Sequence, residues 1–304
     1  MPSRIARLHV HVVDGTLSSL APGRESHAGR LKRLLEEIGP RADLAVSYHP
    51  GVQGRGLGRW WRAATGEGVD DAIRAGYAAL ASRWRPGDRI MLFGWSRGGY
   101  AVRSLAGMID RVGLLRPEHA VERRVHRAFR HYERGPTPAA RAFAARFCHA
   151  SVAVDLIGVW DTVRALGLPY PLLSRLHPRA TEFHDHALGP HVRAGLQALA
   201  LDEDRTAFSP VLWERAAGWN GRLEQAWFPG GHGDVGGELR GFEAARPLAD
   251  LSLHWLLSRA EALGLPLPPG WAARLALDPA APMAGARRRS EEHTSELQSR
   301  MFIS

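Results

Sequence analysis

Apolar positions along this chain follow two periods, and their order predicts strands that alternate with helices. Continuous apolar runs predict strands at 8–13, 44–48, 89–93, 152–160 and 223–228. Helical spacing predicts helices at 31–38, 69–84, 99–108, 118–134 and 247–262, with one more after the Gly135–Pro136 break. Because the strands are continuously apolar, we expect an α/β fold whose mainly parallel central sheet has helices on both faces.

One predicted strand-to-helix junction carries the pattern G-x-S-x-G. Gly94, Ser96 and Gly98 lie between the apolar run 89–93 and the helical run 99–108. A serine on such a sharp turn needs small residues two positions away on each side, because the backbone there packs against the neighbouring strand and helix. The context predicts the nucleophile elbow of a serine hydrolase, and an ordinary strand-to-helix turn is the alternative.

Two later segments offer partners for this serine. A serine is a weak nucleophile unless a histidine accepts its proton and a carboxylate holds that histidine. Asp161 follows the predicted strand 152–160, and His232 lies in a glycine-rich loop after the predicted strand 223–228. Carboxyl ends of parallel strands meet at one edge of a sheet, so we predict a catalytic triad of Ser96, Asp161 and His232.

Other interpretations of these residues remain open. Asp234 is an alternative acid, although its position two residues after His232 makes side-chain pairing awkward. Asp161 could instead cap a helix or lie in a turn. His232 could be an ordinary loop histidine, although the glycines around it favour a close approach of the backbone.

A serine hydrolase also needs backbone N–H groups that face the developing oxyanion. The residue after the nucleophile, Arg97, is one predicted donor. The turn after the first strand supplies Gly15 and Thr16 as candidates for the other, since Gly15 permits a close approach.

Six motifs follow one another in a characteristic order, at residues 13–16, 94–99, 157–163, 198–205, 208–213 and 227–237. With these motifs the chain resembles a known family, the catalytic domain of type VI secretion phospholipase effectors. The resemblance implies an α/β-hydrolase-like fold and phospholipase or related esterase activity through an acyl-enzyme, with Ser96 as nucleophile and His232 as base. Two positions depart from the family pattern: Gly99 stands where alanine is usual, and Glu238 where a further glycine often follows.

The predicted helix 118–134 adds a candidate membrane contact. Its apolar residues recur on one face and its arginines lie elsewhere: Val121, Val125, Ala128, Phe129 and Tyr132 against Arg123, Arg124, Arg127 and Arg130. We expect a helical cover segment at about 117–148 whose apolar stripe docks on the core, and contact of this helix with phospholipid headgroups near the active site is the alternative.

Composition limits the classes of partner that the protein is expected to bind. The formal net charge is +9, and Lys32 is the only lysine, so the excess comes from arginine. The arginines are scattered, and we therefore expect no nucleic acid as a partner. The family resemblance implies an ester or lipid substrate. No cofactor is expected. No segment has the length of a signal-peptide core or of a membrane span, which predicts a cytoplasmic protein or export by a route without a cleaved signal.

Two other function classes compete with the serine hydrolase. His9, His11 and Asp14 could form a metal-dependent hydrolase site, and His184 with His186 has the same ligand spacing. A non-catalytic basic binding protein is the other class, and it would need clustered arginines with stacking aromatic residues.

We expect residues 1–288 to form one α/β-hydrolase domain. Residues 289–299 match what one reading frame of a widely used sequencing adapter encodes. We therefore interpret residues 289–304 as an artefactual tail that does not contribute to the fold.

Overall fold

The computed structural model describes residues 4–16, 18–51, 67–163 and 187–285. Within these ranges six strands form one sheet in the order β2-β1-β3-β4-β5-β6, and every neighbouring pair is parallel. The strands are β1 (Leu8–Val13), β2 (Leu44–His49), β3 (Arg89–Trp95), β4 (Leu156–Trp160), β5 (Ala194–Ala200) and β6 (Arg222–Phe228). The predicted α/β-hydrolase-like sheet is confirmed.

Helices cover both faces of this sheet, as the apolar strands predicted. They are α1 (His27–Glu37), α2 (Glu67–Arg83), α3 (Arg97–Val112), α4 (Glu122–Arg134), α5 (Pro138–Phe147), α6 (His232–Gly236) and α7 (Arg246–Ala262). On one face α1 and α7 pack on the sheet. On the other face α2 and α3 pack on it, and α4 contacts both of these helices from outside. All six residues of β1 are buried because this strand lies between the two helical layers.

One strand was not predicted from its sequence. β5 consists of alanine, glycine, leucine and glutamine, residue types that do not favour strands by themselves. All seven of its residues are buried between β4 and β6. Burial in the centre of the sheet therefore decides this conformation, not local propensity.

The order of the strands places a crevice between β1 and β3. From β1 the chain moves outward to β2, then returns to the other side of β1 and continues to β6. In open parallel sheets, ligands bind outside the carboxyl ends of the strands at such a reversal. Ser96 follows β3 and Asp14 follows β1, so both lie at this point.

The structure decides between the two interpretations of the helix at 118–134. Val125, Phe129 and Tyr132 are at most 5% exposed and pack into the core with α2 and α3, and only Val121 is half-exposed. The apolar stripe therefore docks the helix, and it cannot enter a bilayer. Nor do α4 and α5 line the cavity at Ser96, so they are not its cover.

No helix in the described ranges has the length and apolar character needed to cross a membrane. His184, His186 and the predicted tail 289–304 lie outside the described residues.

Candidate active site

Ser96 occupies a sharp turn between β3 and α3. Its backbone has φ 56° and ψ −122°, outside the regions that most residues adopt. A Cβ at position 94 would lie 2.4 Å from the carbonyl oxygen of Gly98, and a Cβ at position 98 would lie 2.2 Å from that of Val13. The two glycines are therefore required by backbone packing, as the G-x-S-x-G pattern predicted.

Three predicted site residues form one chain of hydrogen bonds. The Oγ of Ser96 lies 2.8 Å from Nε2 of His232. The Nδ1 of His232 lies 2.6 Å from Oδ2 of Asp161. All three side chains are buried. In this arrangement Nδ1–H donates to the carboxylate, and Nε2 is left to accept the serine proton.

Asp161 is held in a fixed orientation at the end of β4. Its backbone has φ 36°, a left-handed conformation that is uncommon for a residue other than glycine. Its Oδ1 accepts a hydrogen bond of 3.0 Å from the backbone N–H of Ala200, at the end of the neighbouring strand. Both carboxylate oxygens therefore have a partner, and Oδ2 faces the histidine.

Asp234, the alternative acid, does not contact the imidazole. Its Oδ2 accepts from the backbone N–H of Gly231 at 3.0 Å, so it stabilises the first turn of α6. Its Oδ1 accepts from the N–H of Ala284 at 2.8 Å. The carboxylate of Asp234 thus joins the histidine loop to the end of the described residues, whereas that of Asp161 contacts His232.

The predicted oxyanion donors differ in their surroundings. The N–H of Gly15 donates to Oδ1 of Asp14 at 2.7 Å, so it is already paired. A Cβ at Gly15 would lie 2.4 Å from Nε1 of Trp95, which explains why glycine is needed at this position. Thr16 and Arg97 both line the cavity at Ser96. The geometry therefore favours the N–H of Thr16 over that of Gly15 as the candidate second donor to the oxyanion, beside the N–H of Arg97.

The cavity at Ser96 has a volume of about 620 Å³. Its lining includes aromatic rings and charged groups: Trp95, Arg97, Glu203, Arg205, Phe208, Glu238, Arg240 and Phe242. Burial raises the pKa of Glu238, an effect that nearby Arg240 partly offsets. Burial lowers the pKa of Arg97, and the nearby Glu238 offsets part of this effect. The volume falls in the range of small-molecule pockets, about 300–1,000 Å³.

His9, His11 and Asp14, the described residues of the metal hypothesis, are not arranged to hold one metal ion. His9 and His11 lie on one face of β1, where His9 contacts Asp88 at 3.0 Å and His11 contacts Ser47 at 2.8 Å. Complete burial lowers the pKa of His11 to about 4, as expected for a neutral core histidine. Asp14 instead accepts hydrogen bonds from Ser26 and Tyr48. In the described ranges no group of three or more His, Cys, Asp or Glu side chains is arranged to hold a metal ion.

Some residues around the site were not singled out from the sequence. The ring of His232 lies 4.2 Å from that of Trp95 and 4.7 Å from that of Phe208, measured between centroids. The N–H of His232 donates to Glu203 at 3.0 Å. Glu203 and Phe208 belong to motifs that carried the family resemblance, and that was the only signal in the sequence.

Comparisons with known proteins identify a family and a curated relative of this chain. The family described as T6SS, Phospholipase effector Tle1-like, catalytic domain matches residues 7–259. The uncharacterized protein YEL023C of Saccharomyces cerevisiae is 29% identical over 227 residues, which cover 66% of this chain and 32% of that protein. The chain therefore spans about a third of this curated relative.

Solved structures share the fold at low sequence identity. An uncharacterized protein from Pseudomonas aeruginosa aligns with a TM-score of 0.51 at 15% identity, over 89% of this chain and 48% of that one. Esterase Est2 from Thermogutta terrifontis aligns with a TM-score of 0.43 at 15% identity, over 88% and 86% of the two chains. The match over residues 7–259 covers most of the chain, and the chain belongs to the family of Tle1-like catalytic domains of type VI secretion phospholipase effectors.

Proposed function

We propose that this protein is a serine hydrolase that cleaves carboxylic ester bonds of lipids, with Ser96, His232 and Asp161 as its catalytic triad. The observation that carries the proposal is the unbroken chain of hydrogen bonds from Ser96 through His232 to Asp161, with distances of 2.8 and 2.6 Å. Membership of a phospholipase effector family supports the ester substrate. The strained backbone of Ser96 and Asp161 supports a functional role for both.

The geometry supports a two-step reaction. Oγ of Ser96 attacks the acyl carbon while Nε2 of His232 takes the hydroxyl proton. The tetrahedral intermediate then expels the alcohol, which receives that proton, and an acyl-serine remains. Water attacks the acyl-serine, gives its proton to His232 and releases the carboxylic acid. The proton finally returns to Ser96, so the balance is ester and water to acid and alcohol.

Asp161 and the turn amides have separate tasks in this proposal. The carboxylate of Asp161 fixes the tautomer of His232 and stabilises the imidazolium that forms in each step. The backbone N–H groups of Arg97 and Thr16 stabilise the oxyanion. Arg97 begins α3, and the amino end of a helix favours negative charge. Gly15 serves as the spacer that lets the turn approach Trp95.

A fluorophosphonate probe tests the proposed nucleophile directly. We expect the wild-type protein to be labelled, and Ser96→Ala and His232→Ala to lose labelling. Ser104→Ala is the matched control, because Ser104 is also buried and lies on α3. Labelling that persists in Ser96→Ala, or that is lost equally in Ser104→Ala, would contradict the triad.

The proposal also includes contact with a membrane surface, made through arginine side chains and not through the apolar stripe of α4. The groove between α4 and α5 has a volume of about 340 Å³ and is lined by Arg123, Arg124, Arg127, Arg130, Phe143 and Phe147. Among the described residues these four arginines form no ion pair with a carboxylate. The apolar stripe of α4 is buried, so contact with anionic lipid would be electrostatic and would weaken as salt rises.

Vesicle assays separate lipid contact from ester chemistry. We expect the change of Arg123, Arg124, Arg127 and Arg130 to Gln to lower hydrolysis of anionic vesicles and to leave a short p-nitrophenyl ester unaffected. Neutral vesicles are the control, since their hydrolysis should not respond to these substitutions. Equal loss of hydrolysis of the vesicles and of the short ester would mean that these arginines contribute to folding. No loss with either substrate would mean that the protein is a general esterase without this lipid contact.

A further inference from the structure

The motif at 198–205 has no role in the proposed chemistry, yet its second half lies beside the histidine loop. This half belongs to the segment 202–208, which leaves the end of β5 and passes beside the loop between β6 and α6. Oδ2 of Asp202 accepts a hydrogen bond of 2.7 Å from the N–H of Gly230. The N–H of Asp202 in turn donates to the carbonyl oxygen of Gly230 at 3.1 Å. The two segments are thus joined two residues before His232.

Glu203 makes the contact nearest to the base. Its Oε2 accepts the backbone N–H of His232 at 3.0 Å. That N–H belongs to the first turn of α6, where no carbonyl of the helix can accept it. Glu203 therefore fixes the main chain at the residue whose side chain bridges Ser96 and Asp161.

Arg205 holds the Glu203 carboxylate in one orientation. Its Nε and Nη2 donate to the two carboxylate oxygens, each at 2.7 Å, and the Glu203 side chain is only 5% exposed. Burial opposes ionisation of Glu203, but the hydrogen bonds from Arg205 and His232 outweigh it and lower the pKa of this carboxyl to about 2. The acceptor is thus charged and planar, and its bidentate pairing restricts its rotation.

The same arginine also reaches the imidazole through an aromatic ring. Its guanidinium lies 4.1 Å from the ring centroid of Phe208, and that ring lies 4.7 Å from the imidazole of His232. Glu203 and Phe208 therefore constrain the main chain and the ring of His232, and Arg205 contacts both of them.

We propose that Glu203 is a positioning residue for the base His232, and that Arg205 and Phe208 complete its support. The inference rests on the proposed function, because it assigns to Glu203 the orientation of the proposed general base. A misplacement of about 1 Å in a reacting group can cost about 10²-fold in rate. Loss of Glu203 removes the fixed acceptor of the His232 N–H and leaves the α6 terminus free to shift by such a distance.

The test compares Glu203→Ala with Glu224→Ala. Glu224 is a matched control, because it is also paired with an arginine two positions away, Arg222, and lies on β6 away from the triad. It pairs with Arg259 on α7 as well. We expect Glu203→Ala to lower kcat for a short p-nitrophenyl ester by about 10²-fold with KM within about twofold. Glu224→Ala should leave kcat within about twofold, since surface ion pairs contribute little.

Conservative variants sharpen the assignment. Glu203→Gln keeps an oxygen that can accept the His232 N–H, so it should recover part of the kcat that Glu203→Ala loses. Arg205→Lys keeps the charge but loses the planar, bidentate pairing and the contact with Phe208, and kcat should fall although Glu203 is intact. The thermal midpoint of each variant shows whether the protein remains folded.

A spectroscopic readout makes the test independent of turnover. The Nδ1 proton of His232, shared with Asp161, should give a downfield proton resonance that broadens or disappears in Glu203→Ala and persists in Glu224→Ala. A wild-type protein that hydrolyses no ester and reacts with no fluorophosphonate would refute the proposed function, while this resonance would still test the support of His232.

Three results would overturn the inference. Glu203→Ala could keep both its kcat and the His232 resonance. It could lose activity only in proportion to the loss of folded protein, with the kcat of the folded fraction unchanged. It could raise KM with kcat unchanged, which would make Glu203 a substrate-binding residue instead.

Discussion

Gly99, one of the two departures from the family pattern, allows a quantitative test of packing beside the triad. It lies in the first turn of α3 and faces Thr162, the buried neighbour of Asp161. A Cβ at position 99 would lie 2.4 Å from Oγ1 of Thr162 and 3.4 Å from the Cβ atoms of Thr162 and Val159. Thr162 is short and fully buried, so Gly99→Ala must rotate or displace it.

Two opposing contributions set the size of the effect. Overpacking a core typically costs about 1–3 kcal/mol. Alanine stabilises a helix by about 0.5–1 kcal/mol relative to glycine. We therefore expect Gly99→Ala to lower the free energy of unfolding by about 1–2 kcal/mol, which corresponds to a Tm decrease of about 2–8 °C. The hydrolytic rate should also fall, because a displaced Thr162 moves the backbone of Asp161.

A double-mutant cycle with Thr162→Ala isolates the contact. Thr162→Ala removes Oγ1 and leaves the Cβ at 3.4 Å, an ordinary van der Waals distance. Gly99→Ala should then stabilise the Thr162→Ala background by about 0.5–1 kcal/mol, so the coupling energy in urea denaturation should be about 1.5–3 kcal/mol. Additive effects, or an alanine at 99 that stabilises the wild-type protein, would refute the steric argument.

Further predictions concern the triad, acid stability and the tail. Asp161→Asn should lower kcat at least ~10²-fold by favouring the wrong imidazole tautomer, whereas Asp234→Asn should mainly lower Tm. Ser96→Ala and His232→Ala should each lower kcat by about 10⁴–10⁶-fold, and the double variant should be little worse. The pKa of Glu203 is about 2, lowered from 4.5, so its stabilisation is present above pH 4.5 and is lost as pH falls toward 2. Glu203→Gln should therefore flatten the acid limb of the stability profile. Deletion of residues 290–304 should change Tm by no more than about 2 °C.

Each of these predictions would be contradicted by a specific result. An active Asp161→Asn with an inactive Asp234→Asn would reverse the choice of acid. Multiplicative losses in the double variant would mean that Ser96 and His232 do not act as a unit. If Glu203→Gln left the loss of stability at low pH unchanged, the lowered pKa of Glu203 would not contribute to the stability of the protein. A large Tm loss on deletion would give the tail a structural role.

Local sequence was sufficient for much of the fold and for the positions of the candidate triad. Apolar runs predicted β1, β3 and β4 because strands buried on both faces need continuous apolar residues. Glycines at 94 and 98 predicted the turn at Ser96, since only a missing Cβ permits the backbone contacts found there. Asp161 and His232 were found because each follows a strand, and parallel strands end at one edge of the sheet.

Other features depend on contacts between segments far apart in the chain. Burial made β5 a strand despite its composition. Packing on α2 and α3 turned the apolar face of α4 inward, where the sequence allowed either orientation. Asp161 contacts His232 and the N–H of Ala200, whereas Asp234 accepts from Ala284, and the hydrogen bond from His232 to Glu203 spans 29 residues. Hydrophobic period and turn chemistry act over a few residues and can be read locally, whereas hydrogen-bond partners and buried faces are set only when the whole sheet assembles.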